Sequence, residues 1–162
     1  MTEATLTEAT TYSDRIERSV LLQASRARVW KALTNAEEFG EWFGMDMSGQ
    51  SFVPGQRNRA KLSIKGYEHV SLEMQIERLE PTTTMAYRWH PFAVDMAVDY
   101  SVEEPTLVTF TLADAANGQT QLTVVESGFD RIPPQRRLEA WRMNSGGWEG
   151  QLRNISKHLH GG

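Results

Sequence analysis

The sequence contains no cysteine among its 162 residues. Disulfides, thiolate metal sites and cysteine nucleophiles are therefore excluded, and the composition fits a reducing cytoplasm. No apolar run approaches the roughly 20 residues that a membrane span needs, so we expect no membrane span. The segment from Met1 to Ser13 lacks the apolar core of a signal peptide, and we expect residues 1–13 to form a disordered N-terminal segment.

The charged residues show no basic cluster. The chain has 17 Lys and Arg against 21 Asp and Glu, with a formal net charge of −4, and the two signs are interspersed. A mildly acidic chain without a basic stripe is a poor candidate for nucleic-acid binding, so we expect no nucleic-acid partner. The length suits a single domain over residues 14–160. A domain of this size can bury a hydrophobic core without disulfides or a structural metal.

Motifs of catalysis and metal binding are also missing. The sequence has no Gly-x-Ser-x-Gly elbow, P-loop or Gly-x-Gly-x-x-Gly. His158 and His160 do not form a closed metal set, and we expect them in a solvated tail. We therefore predict no catalytic residue, no metal and no cofactor. Arg59, Arg88 and Arg142 could anchor a ligand carboxylate through a bidentate fork, although surface charge is the default interpretation of all three.

Alternation of apolar and polar residues predicts most of the strands. Met85, Tyr87 and Trp89 share one face of one strand, and Leu122 and Val124 share one face of the last. Asn117-Gly118 is typical of a type I′ hairpin turn. The predicted strands cover residues 16–23, 58–65, 69–79, 85–89, 106–113 and 119–126, and an ambiguous stretch over residues 45–52 would make seven.

Three helices are predicted from caps and apolar spacing. Ser25 can cap a helix over residues 26–34, and Asn35 to Glu38 resembles a capping box for a second short helix that ends near Gly40. A third helix covers residues 135–158. Its apolar stripe recurs at alternating spacings of three and four and consists of Leu138, Trp141, Ser145, Trp148, Leu152, Ile155 and Leu159.

The order of these elements predicts an α+β domain. Strands followed by a terminal helix argue against a doubly wound parallel sheet, and alternating strands need one face covered. We expect a curved antiparallel sheet of six to seven strands around the long C-terminal helix, with two short helices after the first strand. A sheet curled around one helix closes poorly at its ends, which favours a cavity between them.

Several segments resemble one known family. Residues 20–43 are similar to the opening of the activator-of-Hsp90-ATPase-homologue-like family, within the START-like superfamily. Residues 121–129 resemble its last strand, residues 146–152 its C-terminal helix, and residues 76–89 its Glu-Pro turn between strands. The resemblance covers about residues 14–159. It implies a helix-grip (START-like) fold with a cavity, and a chaperone as an alternative partner in a stress response.

The candidate ligand-binding residues are large aromatic, methionine or small polar side chains on the inner strand faces and the helices. For each of them, ordinary core packing is the competing interpretation. Gly146-Gly147 inside the long helix could allow a kink for packing, or could keep space open beneath Trp141 and Trp148. The candidates are Trp42, Phe43, Met74, Tyr87, Trp89, Phe110, Trp141, Asn144, Ser145 and Trp148.

The function predicted first is binding of a small hydrophobic or amphipathic molecule. The many aromatic and methionine side chains of the sequence suit the lining of an apolar cavity. The alternatives are an Hsp90-type co-chaperone, which the resemblance implies, and a cyclase- or hydrolase-type enzyme. The enzyme would need an acid or base inside the cavity, and we predict no inward-facing Asp, Glu or His. We expect a cytoplasmic protein that is a monomer or a weak homodimer.

Overall fold

A computed structural model describes residues 11–160, which form six strands, two short α-helices and one long α-helix. Short 3₁₀ turns lie at Tyr100–Val102, Ala116–Gly118 and Phe129–Arg131. In chain order the elements are β1 (Arg15–Leu22), α1 (Arg26–Thr34), α2 (Ala36–Phe43), β2 (Arg57–Lys61), β3 (Ser71–Glu80), β4 (Thr84–Trp89), β5 (Thr106–Asp114), β6 (Thr120–Ser127) and α3 (Pro134–His160).

The strands form one antiparallel sheet in the order β1-β6-β5-β4-β3-β2. This confirms the predicted α+β architecture, with the two short helices after β1 and the long helix at the end. The sheet has six strands and not seven, because residues 45–52 contribute only an isolated bridge between Met45 and Leu62. At the predicted hairpin turn, Asn117 and Gly118 both have positive φ, as a type I′ turn requires.

Both predicted helix starts are confirmed by capping hydrogen bonds. The Ser25 side chain accepts from the backbone N–H of Arg28, and the Asn35 side chain accepts from that of Glu38. The second helix runs beyond the predicted end near Gly40 to Phe43. Gly44 ends it in a left-handed conformation with φ of 102°, which glycine adopts without steric cost. Trp42 and Phe43 therefore lie on α2.

The core lies between the inner face of the sheet and the three helices. Most of the predicted stripe on α3 is buried, from Trp141 through Ile155. The stripe prediction is wrong at Leu138, which is 43% exposed. Phe129 and Ile132, in the turn before the helix, are buried at this end of the core, and Leu138 in the second turn of α3 faces solvent.

The C-terminal histidines belong to the last turn of α3 and contact the body of the domain, so they are not a free tail, although His160 is exposed to solvent. The Nε2 atom of His158 lies 2.7 Å from Oε2 of Glu38, to which Arg28 also pairs at 2.6 Å. The backbone N–H of Gln23 donates to Nε2 of His160 over 2.8 Å. The sequence pattern missed these contacts because they join residues more than 100 positions apart.

The long connection between β4 and β5 is tied to α3 by a bidentate ion pair. Arg136 places two guanidinium nitrogens on the carboxylate of Glu103, and Nη1 also donates to the Pro91 carbonyl over 2.9 Å. Such a fork fixes geometry as well as charge. The connection is therefore held against the helix at a defined position.

The predicted N-terminal segment falls only partly within the described residues. Tyr12 packs edge-on against Trp141 and donates a 2.6 Å hydrogen bond to Asp130. The described chain therefore contacts the domain before β1 begins at Arg15. Residues 1–10 lie outside the described residues.

Candidate ligand cavity and buried carboxylate

Three neighbouring strands bring one polar cluster to the inner face of the sheet. Trp89 on β4 pairs with Thr106 on β5, and Glu126 on β6 pairs with Val108 on β5. Side chains two residues apart on a strand share a face. Trp89, Thr106 and Glu126 therefore point to the same side, toward α3.

Helix α3 completes the cluster from the opposite side. Asn144 and Trp148 are four residues apart, so they lie on one face of the helix. The Asn144 amide nitrogen and the Trp148 indole nitrogen each donate to Oε1 of Glu126 over 2.8 Å. Trp89 donates to Oε2 over 2.8 Å and the Thr106 hydroxyl donates to the same atom over 2.6 Å.

Glu126 is fully buried and accepts all four of these hydrogen bonds. Both carboxylate oxygens are satisfied by donors, as the ionised form requires. An ionised carboxylate buried without hydrogen bonds would be very costly, and these four donors offset that cost. In the part of the chain described, its hydrogen-bond partners are all uncharged side chains.

Tyr87 lies on the same face of β4, two residues before Trp89. It is fully buried, and its hydroxyl has no hydrogen-bond partner within residues 11–160. Burial raises the pKa of the Tyr87 hydroxyl well above its ordinary value, and the negative charge of Glu126 raises it further. The phenol therefore keeps its proton across the physiological range.

Beside this cluster an open apolar cavity of about 230 Å³ lies between the sheet, the end of α2, α3 and the β4–β5 connection. A second cavity of about 130 Å³ adjoins it and shares four wall residues, Phe43, Trp89, Asn144 and Gly147, to which Trp148 and Gln151 are added. The first cavity is lined by Phe43, Leu62, Ile64, Tyr67, Leu72, Trp89, His90, Phe92, Ala93, Val94, Met143, Asn144 and Gly147.

Asn144 connects the cavity to the buried carboxylate. Its side chain lines both cavities and also donates to Glu126. An amide that directs its nitrogen at a carboxylate keeps its carbonyl oxygen as an acceptor. Glu126 thus lies one side chain behind the cavity wall.

Gly147 keeps space open in this wall. The helix is continuous through Gly146 and Gly147. A Cβ atom built at either position would meet no heavy atom within 4 Å. Of the two, Gly147 lines the cavities.

The structure brings four of the predicted ligand-binding residues to the cavities, namely Phe43, Trp89, Asn144 and Trp148. Met74, Tyr87 and Phe110 are fully buried in the core, away from the cavity lining. Contact of any of these side chains with a ligand stays a prediction.

The other three predicted residues make contacts within the protein. The Trp42 indole donates to the Ala32 carbonyl over 2.8 Å. Ser145 accepts from Arg18 over 2.6 Å, and the Trp141 indole lies 3.5 Å from the Arg15 carbonyl. Helical spacing placed Trp141 and Ser145 on the inner side of α3 but could not rank them by distance from the cavity.

Sequence reasoning missed Glu126, and the prediction of no inward-facing Asp, Glu or His is wrong at this position. The signal was available, because Glu126 continues the period-two pattern of Leu122 and Val124 on the same strand. Its four donors come from β4, β5 and α3. No local pattern indicates that they meet.

The three arginines considered as carboxylate anchors do not line either apolar cavity. Arg59 lines a separate polar cavity of about 300 Å³, and Arg88 pairs with Glu77 at 3.3 Å. Arg142 is exposed on α3. Within residues 11–160, no cluster of three His, Asp or Glu side chains could hold a metal ion, and no helix is long and apolar enough to cross a membrane.

The model of the family described as activator of Hsp90 ATPase homolog 1-like protein matches residues 23–160. A comparison with curated proteins finds no match.

Solved structures share the fold at low sequence identity. A protein of Mesorhizobium loti, MLL2253, is 23% identical with a TM-score of 0.67, and the match covers 88% of this chain and 94% of that one. The Aha1 dimer of Colwellia psychrerythraea is 19% identical with a TM-score of 0.64, covering 90% and 95%.

DynU16, from the dynemicin biosynthetic locus, is 21% identical with a TM-score of 0.67 over 91% of this chain. The match covers 48% of DynU16, so this chain spans about half of that protein.

Proposed function

The chain belongs to the activator of Hsp90 ATPase homolog 1-like family, and on that premise we propose that it binds a small hydrophobic or amphipathic molecule in the apolar cavity. The observation that carries the proposal is the open cavity of about 230 Å³ beneath α3. Its wall is mostly aromatic and aliphatic, with Asn144 as a polar group that can orient a ligand.

The size of the cavity limits the ligand. Typical small-molecule sites span roughly 300–1,000 Å³, so this cavity and its neighbour suit a compact molecule of about 10–15 non-hydrogen atoms. At roughly 0.3–0.5 kcal/mol per atom, such a ligand would gain about 3–7 kcal/mol. We expect dissociation constants between about 10 μM and several millimolar.

The test uses a pair of variants on neighbouring helix positions. Gly147→Leu would place a side chain in the cavity, whereas Gly146→Leu would add the same side chain outside it, and neither Cβ meets a neighbouring atom. The probe is naphthylmethanol, an uncharged molecule of suitable size, measured by isothermal titration calorimetry. We expect binding by the wild type and by Gly146→Leu, and a loss of at least about tenfold in Gly147→Leu.

Two results would contradict the proposal. The first is no binding of naphthylmethanol or of related compact apolar molecules to the folded wild type. The second is equal binding by both leucine variants, which would locate the ligand elsewhere.

Activation of an Hsp90 ATPase and catalysis of the cyclase or hydrolase type stay predictions. The solved structures compared are at most 23% identical, and likeness at that level supports a shared fold alone. A cytoplasmic location and a monomeric or weakly dimeric state belong to the same set of proposals.

A further inference from the structure

We propose that the cavity selects its ligands by charge: it accepts uncharged molecules and protonated amines and discriminates against carboxylates. The cause is the buried Glu126 carboxylate behind the wall formed by Trp89, Asn144 and Trp148. This inference rests on the proposed binding function and names the class of ligand that the cavity takes.

Among residues 11–160, no cation hydrogen-bonds to the Glu126 carboxylate. Its four hydrogen bonds come from two indoles, a hydroxyl and an amide. Arg18, an inward residue of the adjacent strand β1, bonds instead to Ser145 and Glu149. A buried charge that is compensated by neutral dipoles still produces a field, which a low-dielectric surrounding screens weakly.

The described part of the chain also places no Lys or Arg where it could hold an anionic ligand in the cavity. Neither apolar cavity is lined by Lys or Arg, as far as residues 11–160 show. His90 is the titratable basic side chain of the lining, and its Nε2 atom lies 2.9 Å from the Glu103 carbonyl oxygen. A ligand carboxylate would therefore lose its hydration without gaining a charged partner.

The polar groups of the wall suit a hydrogen-bond donor. The Asn144 nitrogen is committed to Glu126, which leaves the amide oxygen as an acceptor. Trp89 and Trp148 stand at the same wall with ring centroids 5.8 Å apart. Both indole N–H groups are committed to Glu126 and cannot donate to a ligand carboxylate, so an alcohol or an ammonium group fits this end of the cavity better.

The experiment compares three molecules that share one apolar body: naphthylmethanol, naphthylmethylamine and naphthoate. Calorimetric titration of the wild type near pH 7.5 gives the three affinities. We expect naphthoate to bind at least about tenfold more weakly than the alcohol, which corresponds to about 1.4 kcal/mol. We expect the amine to bind at least as tightly as the alcohol.

Glu126→Gln removes the charge with little change of shape. In this variant we expect the alcohol-to-naphthoate ratio to fall by about threefold or more, because the field of Glu126 is gone, while the part that comes from lost hydration of the carboxylate remains. A ratio that stays at its wild-type value in a folded Glu126→Gln protein would overturn the inference.

A second pair of variants tests the other part of the argument, the missing cation, and does not depend on whether Glu126→Gln folds. Met143 lines the cavity and is 45% exposed, so Met143→Lys can supply a cation at the rim, and Met143→Gln is its uncharged control. We expect the alcohol-to-naphthoate affinity ratio to be about fivefold or more lower in Met143→Lys than in Met143→Gln. No difference between the two variants would overturn the inference.

The failures of the two proposals are distinguishable. Equal binding of all three molecules to the wild type, with all three lost in Gly147→Leu, refutes charge selection and supports the cavity as the site. Absence of binding by all three, or binding that Gly147→Leu leaves intact, refutes the binding function itself.

Discussion

Replacement of Trp148 by phenylalanine tests whether the buried carboxylate is held as a charged acceptor. Trp148→Phe keeps an aromatic ring in the core and removes the indole N–H that lies 2.8 Å from Oε1 of Glu126. Hydrogen bonds to charged groups contribute about 1.5–3 kcal/mol. We expect the free energy of unfolding to fall by that amount, in addition to the loss from the smaller ring.

Trp141→Phe is the matched control. Both tryptophans lie on α3 and are almost equally buried, with 4% exposure for Trp141 and 3% for Trp148. The loss from the smaller ring is therefore similar in the two variants. The Trp141 indole, however, lies 3.5 Å from the uncharged Arg15 carbonyl, a distance at which a hydrogen bond contributes little.

The quantity to measure is the difference between the two variants. Urea unfolding followed by far-ultraviolet circular dichroism gives the free energy of unfolding of each, with the slope m as a check on two-state behaviour. We expect Trp148→Phe to be about 1–2.5 kcal/mol less stable than Trp141→Phe, which is roughly 2–10 °C in Tm for a domain of this size. A difference below about 0.5 kcal/mol would refute the reasoning, because the Trp148 donor would then not be stabilising a buried charge.

Two further predictions concern the helices. Gly147→Ala and Gly146→Ala should each raise the free energy of unfolding by about 0.4–1 kcal/mol, since neither Cβ meets a neighbour; a thermal melt that shows destabilisation at Gly147 would contradict the open wall. The second prediction concerns acid. Burial alone would raise the pKa of Glu38, but hydrogen bonds from His158 and Arg28 outweigh it and hold that pKa below its ordinary value. The stability that Glu38 contributes is therefore present above about pH 4.5 and is lost as the pH falls through its lowered value in the folded state. We expect Glu38→Gln to be less stable than the wild type by about 1 kcal/mol at neutral pH, and urea titrations should show this difference shrinking toward about pH 3. The control is Glu41→Gln, at an exposed position of the same helix, which should show no such trend. A difference that persists in acid would contradict the role of the Glu38 charge.

Local patterns predicted most of the fold because they reflect the immediate neighbourhood of each residue. The side chains of Ser25 and Asn35 accept hydrogen bonds from backbone N–H groups only three residues further along the chain. The alternation of a strand depends only on the pleat of its own backbone. The same patterns placed the end of α2 too early, because a buried glycine at position 40 was interpreted as a stop, whereas Gly44 ends the helix. They also placed Leu138 in the core, since periodicity does not report where the sheet beneath a helix ends.

The candidate site could be predicted only in part. Phe43, Trp89, Asn144 and Trp148 were named from residue type and spacing, and all four line the cavities. Glu126 was missed, although its position on the inner face of β6 follows from the alternation. Whether a buried carboxylate at that position is stabilised depends on its hydrogen-bond donors. These donors lie 18 to 37 residues away along the chain.

The sequence by itself determined the class of this domain: a cysteine-free chain with alternating strands and one long apolar helix must cover a sheet with that helix to remove both apolar faces from water. The tertiary structure decided the rest. Burial of Glu126, the meeting of its four donors, the lone Tyr87 hydroxyl and the cavity at Gly147 all arise where β4, β5, β6 and α3 converge. Such a site depends on distances between residues remote in the chain, and one-dimensional patterns do not encode those distances.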